Sequence, residues 1–248
     1  MAEPLLRADS LTRRFGGLTA VGRVSLALRP GELHAVIGTN GAGKSTLINM
    51  LSGELAATDG RIALAGVDVT AWSQPRRARA GIGRSYQRTT IFPPLSVFEN
   101  TRLCAQAALQ RPFQVWQSAA HCATSCAVAQ QALAAAGLAA FADRPAGLLS
   151  HGQQRQLEIA MCLATAPRVL LLDEPLAGMG AAEAERMVDL LLRLKKDHAM
   201  MLVEHDMDAV FALADHLTVM VNGQQIASGS PADVRADPEV QAAYLGEQ

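Results

Sequence analysis

Gly38-Thr39-Asn40-Gly41-Ala42-Gly43-Lys44-Ser45-Thr46 combines the residue types needed to hold a polyphosphate. Glycines at this spacing let backbone N–H groups curl around phosphate oxygens, and the lysine adds a point charge. The pattern is G-x-x-x-x-G-K-[ST], and Lys44 is the sole lysine before Lys195. Lys44 would reach the outer phosphates, and the Ser45 hydroxyl would ligate Mg²⁺. Farther along, Val169-Leu-Leu-Leu-Asp173-Glu174-Pro175 ends an apolar run in two carboxylates. Asp173 is placed for the Mg²⁺ shell, and Glu174 could polarise an attacking water as a general base. Together these residue types describe metal-assisted cleavage of a nucleoside triphosphate.

Such chemistry needs a strand before the glycines and a helix after them. Leu33–Ile37 supplies an apolar run into Gly38, and Leu47–Leu51 a helical run beyond it. The helix start would aim its positive dipole end at the same anion. Val24–Leu28 alternates as a β-strand does, Arg61–Ala65 follows a Thr-Asp-Gly turn, and Gly83–Tyr86 is strand-like. Val169–Leu172 and Met200–Val203 read as buried strands. Ala181–Lys196 carries Met187, Leu190, Leu191 and Leu194 at helical spacing. Leu217–Val221 and Gln224–Ala227 read as a hairpin across Asn222-Gly223. The middle, from about Val97 to Ala166, reads as mostly helix. The expected fold is α/β, a mixed core with a helical segment inserted in its middle.

The chain has 248 residues, half of them hydrophobic and 18% charged, with net charge −1. That length buries a sizeable core without staples, and that composition argues against disorder. The charge balance provides no whole-surface basic footprint for nucleic acid or acidic lipid. The opening Met1–Arg7 lacks the pattern of a signal peptide, and no run of 18 apolar residues occurs. Pro112–Ala142 carries no Lys, Arg, Asp or Glu, but glutamines and alanines make it soluble helix packing. Cys104, Cys122, Cys126 and Cys162 lack zinc-finger spacing and are expected as buried reduced thiols. Arg76, Arg77 and Arg79 read as a solvated helix face.

Leu149-Ser150-His151-Gly152-Gln153 narrows the reading. It resembles the L-S-G-G-Q signature of ATP-binding-cassette (ABC) ATPases. It stands 23 residues before Asp173 and opens a helical run, Gln154–Leu163. Ser150, the Gly152 N–H and a helix N-terminus aimed at one point suit an anion. The resemblance implies that this set contacts the γ-phosphate of ATP held by a second ATPase subunit, a homodimer mate or a paralogue. It also implies that Gln87 senses Mg²⁺ and the γ-phosphate, that His205 is a switch histidine, and that Phe15 stacks on adenine.

The similarity spans essentially the whole chain and extends to importer ATPases for branched-chain and other hydrophobic amino acids. The segments carrying it are Phe15-Gly-Gly-Leu-Thr-Ala-Val21, Gly81-Ile-Gly-Arg-Ser-Tyr-Gln87, Ser96-Val-Phe-Glu-Asn100, Leu157-Glu-Ile-Ala160, Glu174-Pro-Leu-Ala-Gly-Met179, Glu204-His-Asp-Met207 and Ala243-Tyr-Leu-Gly246. The implied architecture is one ABC ATPase domain over 1–248. Residues 1–87 and 167–248 would form the nucleotide-binding α/β core with an antiparallel β subdomain. Residues 88–166 would form a helical subdomain carrying the signature.

The implied cofactors are ATP and Mg²⁺. The implied partners are transmembrane permease subunits and, indirectly, an extracytoplasmic solute-binding protein, at the cytoplasmic face of the inner membrane. Arg88–Phe98, with Pro93-Pro94, is the expected permease-docking surface. Three departures stand out. Thr39 replaces a proline, His151 replaces the first signature glycine, and Gly180 stands where the family has Asn. His151 resembles a variant in urea-type importer ATPases, so a urea or short-amide importer is the alternative. Its ring could face the partner's phosphates, or its backbone could be a cost if glycine is needed. A soluble ABC ATP-binding switch is the reading from a different class.

Overall fold

The computed structural model describes residues 3–87, 90–109 and 122–242. Among them, β1 (Leu6–Phe15), β2 (Leu18–Leu28), β4 (Asp59–Leu64) and β5 (Val67–Asp68) form an antiparallel sheet in the order β2-β1-β4-β5. A second sheet runs β10 (Gln224–Gly229), β9 (His216–Val221), β3 (Leu33–Gly38), β8 (Ala199–Val203), β7 (Val169–Asp173), β6 (Ile82–Arg84). Its pairs from β9 to β6 are parallel, and only β10 runs antiparallel.

Every residue of β3, β7 and β8 is buried, which is why these strands read as continuous apolar runs. The period-2 alternation still sorts them by face. Val36, Leu171, Met201 and Val203 pack toward α1 (Lys44–Ser52) and the antiparallel sheet. Ala35, Ile37, Leu170, Leu172 and Leu202 pack toward α6 (Ala181–Lys195) and α7 (Met207–Leu213). Leu190 and Leu191 of α6 are fully buried there, contributing about 2 kcal/mol each by area.

A third cluster joins α3 (Val97–Leu109), α4 (Ala123–Ala135) and α5 (His151–Leu163) through Val97, Leu133, Leu157 and Ala160. Of the charge-free stretch, 112–121 lies outside the described residues. Its α4 part buries Ser125, Ala129, Ala132 and Leu133. No helix among the described residues is long and apolar enough to cross a membrane.

The expected strands and the Asn222-Gly223 hairpin are present, with φ of 48° and 79° at the turn. Strand β1, which no sequence pattern marked, begins at Leu6; its register shifts against β2, with Ser10 at φ 48°, break the alternation that marks a strand. Three expectations need correction. The run expected over Gly83–Tyr86 pairs only over Ile82–Arg84. Arg77, expected on a solvated face, is 1% exposed and bonds the carbonyls of Met50, Leu51, Thr70 and Trp72 from α2 (Gln74–Arg79). It clamps the C-terminal end of α1, where a cation also complements the helix dipole. Finally, of the four cysteines only Cys162 is buried; Cys104, Cys122 and Cys126 are partly exposed.

Candidate functional site

All four loops that carry the expected chemistry leave the parallel sheet at one edge. Strand β3 runs into the glycine loop, β7 into Asp173-Glu174, β8 into Glu204-His205, and β6 into Gln87. The register aligns these ends: Val36 and Asp173 both pair with Val203. Crevices outside the carboxyl ends of parallel strands are where α/β sheets bind ligands.

The glycine loop turns directly into α1, which starts at Lys44, three residues before the apolar run that marked it. Gly43 is the helix N-cap at φ 99°, and a β-carbon there would lie 2.3 Å from the Ala20 carbonyl oxygen. Any side chain would therefore break the loop. No side chain caps this helix start, so its first amides remain available to an anion. The hairpin turn buttresses the loop from behind, with the Gly223 N–H donating to the Ala42 carbonyl. The Lys44 ammonium donates to the carbonyls of Gly38 (2.6 Å) and Thr39 (3.0 Å). Burial lowers its pKa, while the charges of Glu174 and Asp173 pull it back up.

Asp173 is buried at the end of β7, and burial raises its pKa. The Arg84 guanidinium, 3.9 Å away, opposes that rise together with Lys44. Arg84 also bonds Asn49, Ser52 and Glu54, so it ties the end of α1 to the carboxylate. Glu174 follows at φ 48°, a left-handed conformation held by its N–H bond to the Val203 carbonyl. The Gln87 amide reaches its carboxylate at 3.4 Å. The Ser45 hydroxyl, the Asp173 carboxylate and the Gln87 amide oxygen are hard oxygen donors, and a set with so few carboxylates suits a hydrated Mg²⁺.

His205 is exposed, and its Nδ1 lies 3.6 Å from the Glu204 carboxylate. Glu204 itself is 1% exposed and accepts the backbone N–H groups of Leu176 and His205. It joins the loop after Glu174 to the histidine loop. Burial raises its pKa, and these two hydrogen bonds oppose the rise. Sequence reading passed over Glu204, which stood beside a more conspicuous histidine.

Ser150 caps α5, which begins at His151 rather than at Gln154. Ser150 and Gln153 form a reciprocal capping box, the serine hydroxyl accepting the Gln153 N–H. The Ser150 hydroxyl donates to Glu183 and the Lys44 ammonium to the Gly38 and Thr39 carbonyls, so each segment finds its partners in a different part of the chain. His151 has ordinary helical backbone, so glycine is not required there. Its ring lies against Gly178, whose hypothetical β-carbon would sit 3.3 Å from its Cε1. Arg155 of α5 donates to the carbonyls of Tyr86 (2.9 Å) and Gln87 (2.6 Å), and Glu158 accepts the Thr90 N–H. The signature helix thus grips both sides of the Gln87 loop, of which 88 and 89 lie outside the described residues.

Phe15 is 47% exposed at the end of β1, with the Arg13 guanidinium carbon 4.5 Å above its ring. It is not a core residue, and its ring is presented at the surface. Within the expected docking segment, Phe92 and Leu95 are exposed beside Leu148. The buried Asn100 side chain bonds the backbone of Phe92 and Ser96 and so holds this loop.

Comparisons with known proteins agree with this geometry. The ABC transporter family model matches residues 21–177, and a branched-chain amino acid ATP-binding cassette transporter model matches residues 224–248. The high-affinity branched-chain amino acid transport ATP-binding protein BraF of Pseudomonas aeruginosa is 37% identical over the full length of both chains. Its counterpart LivG of Escherichia coli K12 is also 37% identical, again over both full chains. A nucleotide-free ATP-binding cassette from an ABC transporter superposes with a TM-score of 0.86 at 31% identity, covering 98% of this chain and 99% of that one. An ATP-binding cassette of an ABC transporter in its ADP conformation does so with a TM-score of 0.86 at 32% identity, covering 99% and 100%.

Proposed function

This chain belongs to the ABC transporter ATP-binding family, and from that premise we propose that it is the ATP-hydrolysing subunit of an importer for branched-chain or other hydrophobic amino acids. One observation carries the reading: Lys44, Asp173, Glu174, Gln87 and His205 all stand at one edge of a single parallel sheet. Full-length similarity to BraF and LivG supports the substrate class.

In the proposed reaction the Gly38–Thr46 amides and Lys44 cradle the ATP phosphates, and Phe15 stacks on adenine. Ser45, Asp173 and Gln87 would hold Mg²⁺, which would neutralise charge on the β- and γ-oxygens. Glu174 accepts a proton from water, whose oxygen bonds the γ-phosphorus as the bond to the bridging oxygen breaks. ADP and phosphate leave, and His205 contacts the γ-phosphate side of the site. Ser150, His151, Gly152 and Gln153 serve the ATP of a second ATPase subunit, so ATP closes a pair. Closure pulls on permease subunits docked over Phe92, Leu95 and Leu148, at the cytoplasmic face of the inner membrane. A solute-binding protein on the far side delivers the cargo.

The test is uptake by vesicles holding the chain with its permease and binding protein. We expect ATP-dependent uptake of labelled leucine that Glu174→Gln abolishes. ATP turnover stimulated by urea or a short amide, and not by leucine, would overturn the substrate class. Turnover equally near zero in parent and Glu174→Gln, with permease present, would overturn the enzyme.

A further inference from the structure

The signature serine already has a partner inside its own chain. Ser150 Oγ donates to Glu183 Oε1 at 2.7 Å. Glu183 stands in the first turn of α6, with Gly180 as the helix N-cap. Its carboxylate also lies against Gly152: a β-carbon there would sit 2.7 Å from the Glu183 carboxyl carbon and 2.9 and 3.0 Å from its two oxygens. The space that glycine leaves is filled by that carboxylate. Ser150, Gly152, Gln153, Glu183 and Arg186 line one cavity of ≈ 270 Å³.

A hydroxyl has one proton. Ser150 spends its acceptor side on the Gln153 N–H and its proton on Glu183, so it has none to donate to a phosphate oxygen. Glu183 also places a negative charge where the family reading expects a second one to arrive, and like charges at this range repel. His151 contributes to the arrangement, since its ring packs on Gly178 in the segment leading to α6.

We propose that Glu183 is a gating residue: it occupies the signature seat as an internal substitute for phosphate, and ATP-driven pairing must displace it. This rests on the reading of Ser150–Gln153 as the seat for a partner's ATP. Glu183 thereby sets how much ATP is needed for closure without touching the chain's own nucleotide.

The test uses full-length chain in the Glu174→Gln background, in which loss of the proposed general base keeps ATP from being consumed during the titration. Two variants are compared with Glu183: Glu183→Gln, of equal length but neutral, and Glu183→Asp, charged but one methylene shorter. Aspartate keeps an acid in the first turn of α6, so folding is preserved. Mass in solution is followed against Mg-ATP, and single-chain affinity for a fluorescent ATP analogue is measured at low protein concentration. Where pairing needs the permease, the same titration is run on the assembled transporter. We expect both variants to halve the monomer population at about threefold to tenfold less ATP, the scale of one partly exposed charge-assisted hydrogen bond. Single-chain affinity should stay within about twofold, because the contact lies outside the glycine loop. An unchanged or higher ATP requirement in Glu183→Gln would overturn the gate. A shift in Glu183→Gln alone would overturn the Ser150 hydrogen bond as its cause. Failure of the parent to bind the analogue at all would instead overturn the ATPase reading.

Discussion

Glu174 and Glu204 are acidic side chains near one sheet edge with opposite employment. Glu174 is partly exposed, held at φ 48° and reached by Gln87, as the proposed general base must be. Its replacement by Gln should lower ATP turnover by about 10²- to 10⁴-fold, the usual range for a lost general base, with ATP affinity retained. Steady-state phosphate release and equilibrium nucleotide binding check the two halves of that statement. Glu204 is buried and holds two backbone N–H groups. Glu204→Ala would leave both donors without partners, at about 1–3 kcal/mol each if they stay dry. We expect a lowered urea midpoint together with a loss of turnover, since the loops bearing Glu174 and His205 are no longer joined. A variant as stable as the parent would show that Glu204 is not the tie.

At the scale of elements, α1 shows how a short helix is held at both ends. Its start is shaped by Gly43, and its end is clamped by Arg77, which donates to the Met50 and Leu51 carbonyls. Arg77→Leu keeps the bulk and removes the donors, leaving several carbonyls unpaired. A loss of about 2–4 kcal/mol is expected, read as a lower melting temperature, with weakened ATP binding because α1 carries Lys44. Gly43→Ala should act from the other end and abolish nucleotide binding, because its β-carbon meets the Ala20 carbonyl. The Arg77 clamp lay hidden in a row of three arginines that looked like an ordinary solvated face. Only the Gly53 turn and the return of α2 beneath α1 bring the carbonyls within reach.

At the scale of the molecule, the two sheets meet near His34. His34 is 3% exposed, bonds the Thr218 hydroxyl at 2.8 Å, and sits 4.7 Å from the His216 ring with Arg29 nearby. Burial first, then His216, pushes its pKa down to about 4. His216 is shifted the same way, mainly by burial. In the unfolded chain these histidines take up protons near pH 6.5, while folded His34 resists to about 4. The unfolded state therefore binds more protons in that window. Stability is complete above pH 6.5 and is lost as pH falls through it toward 4, by about 3 kcal/mol for His34. His34→Gln should flatten this slope in urea denaturation at pH 4.5, 5.5 and 7. An unchanged slope would place the acid sensitivity elsewhere.

The chemistry was legible in the sequence because its parts are contiguous. A phosphate cradle is made by successive backbone amides, and a strand ending in Asp173-Glu174 needs no distant residue to define it. The parallel strands were legible for the same reason, since burial on both faces leaves an unbroken apolar run. What only the tertiary structure decided joins residues far apart in the chain, whose pairing no spacing encodes. Arg77 meets Met50 across 27 positions, Ser150 meets Glu183 across 33, and Arg155 meets Gln87 across 68. Strand β1 belongs with them, because its bulges erase the local pattern and its partners alone make it a strand. The residues expected to perform the reaction are local signals, whereas those that hold, clamp or block them are set by packing.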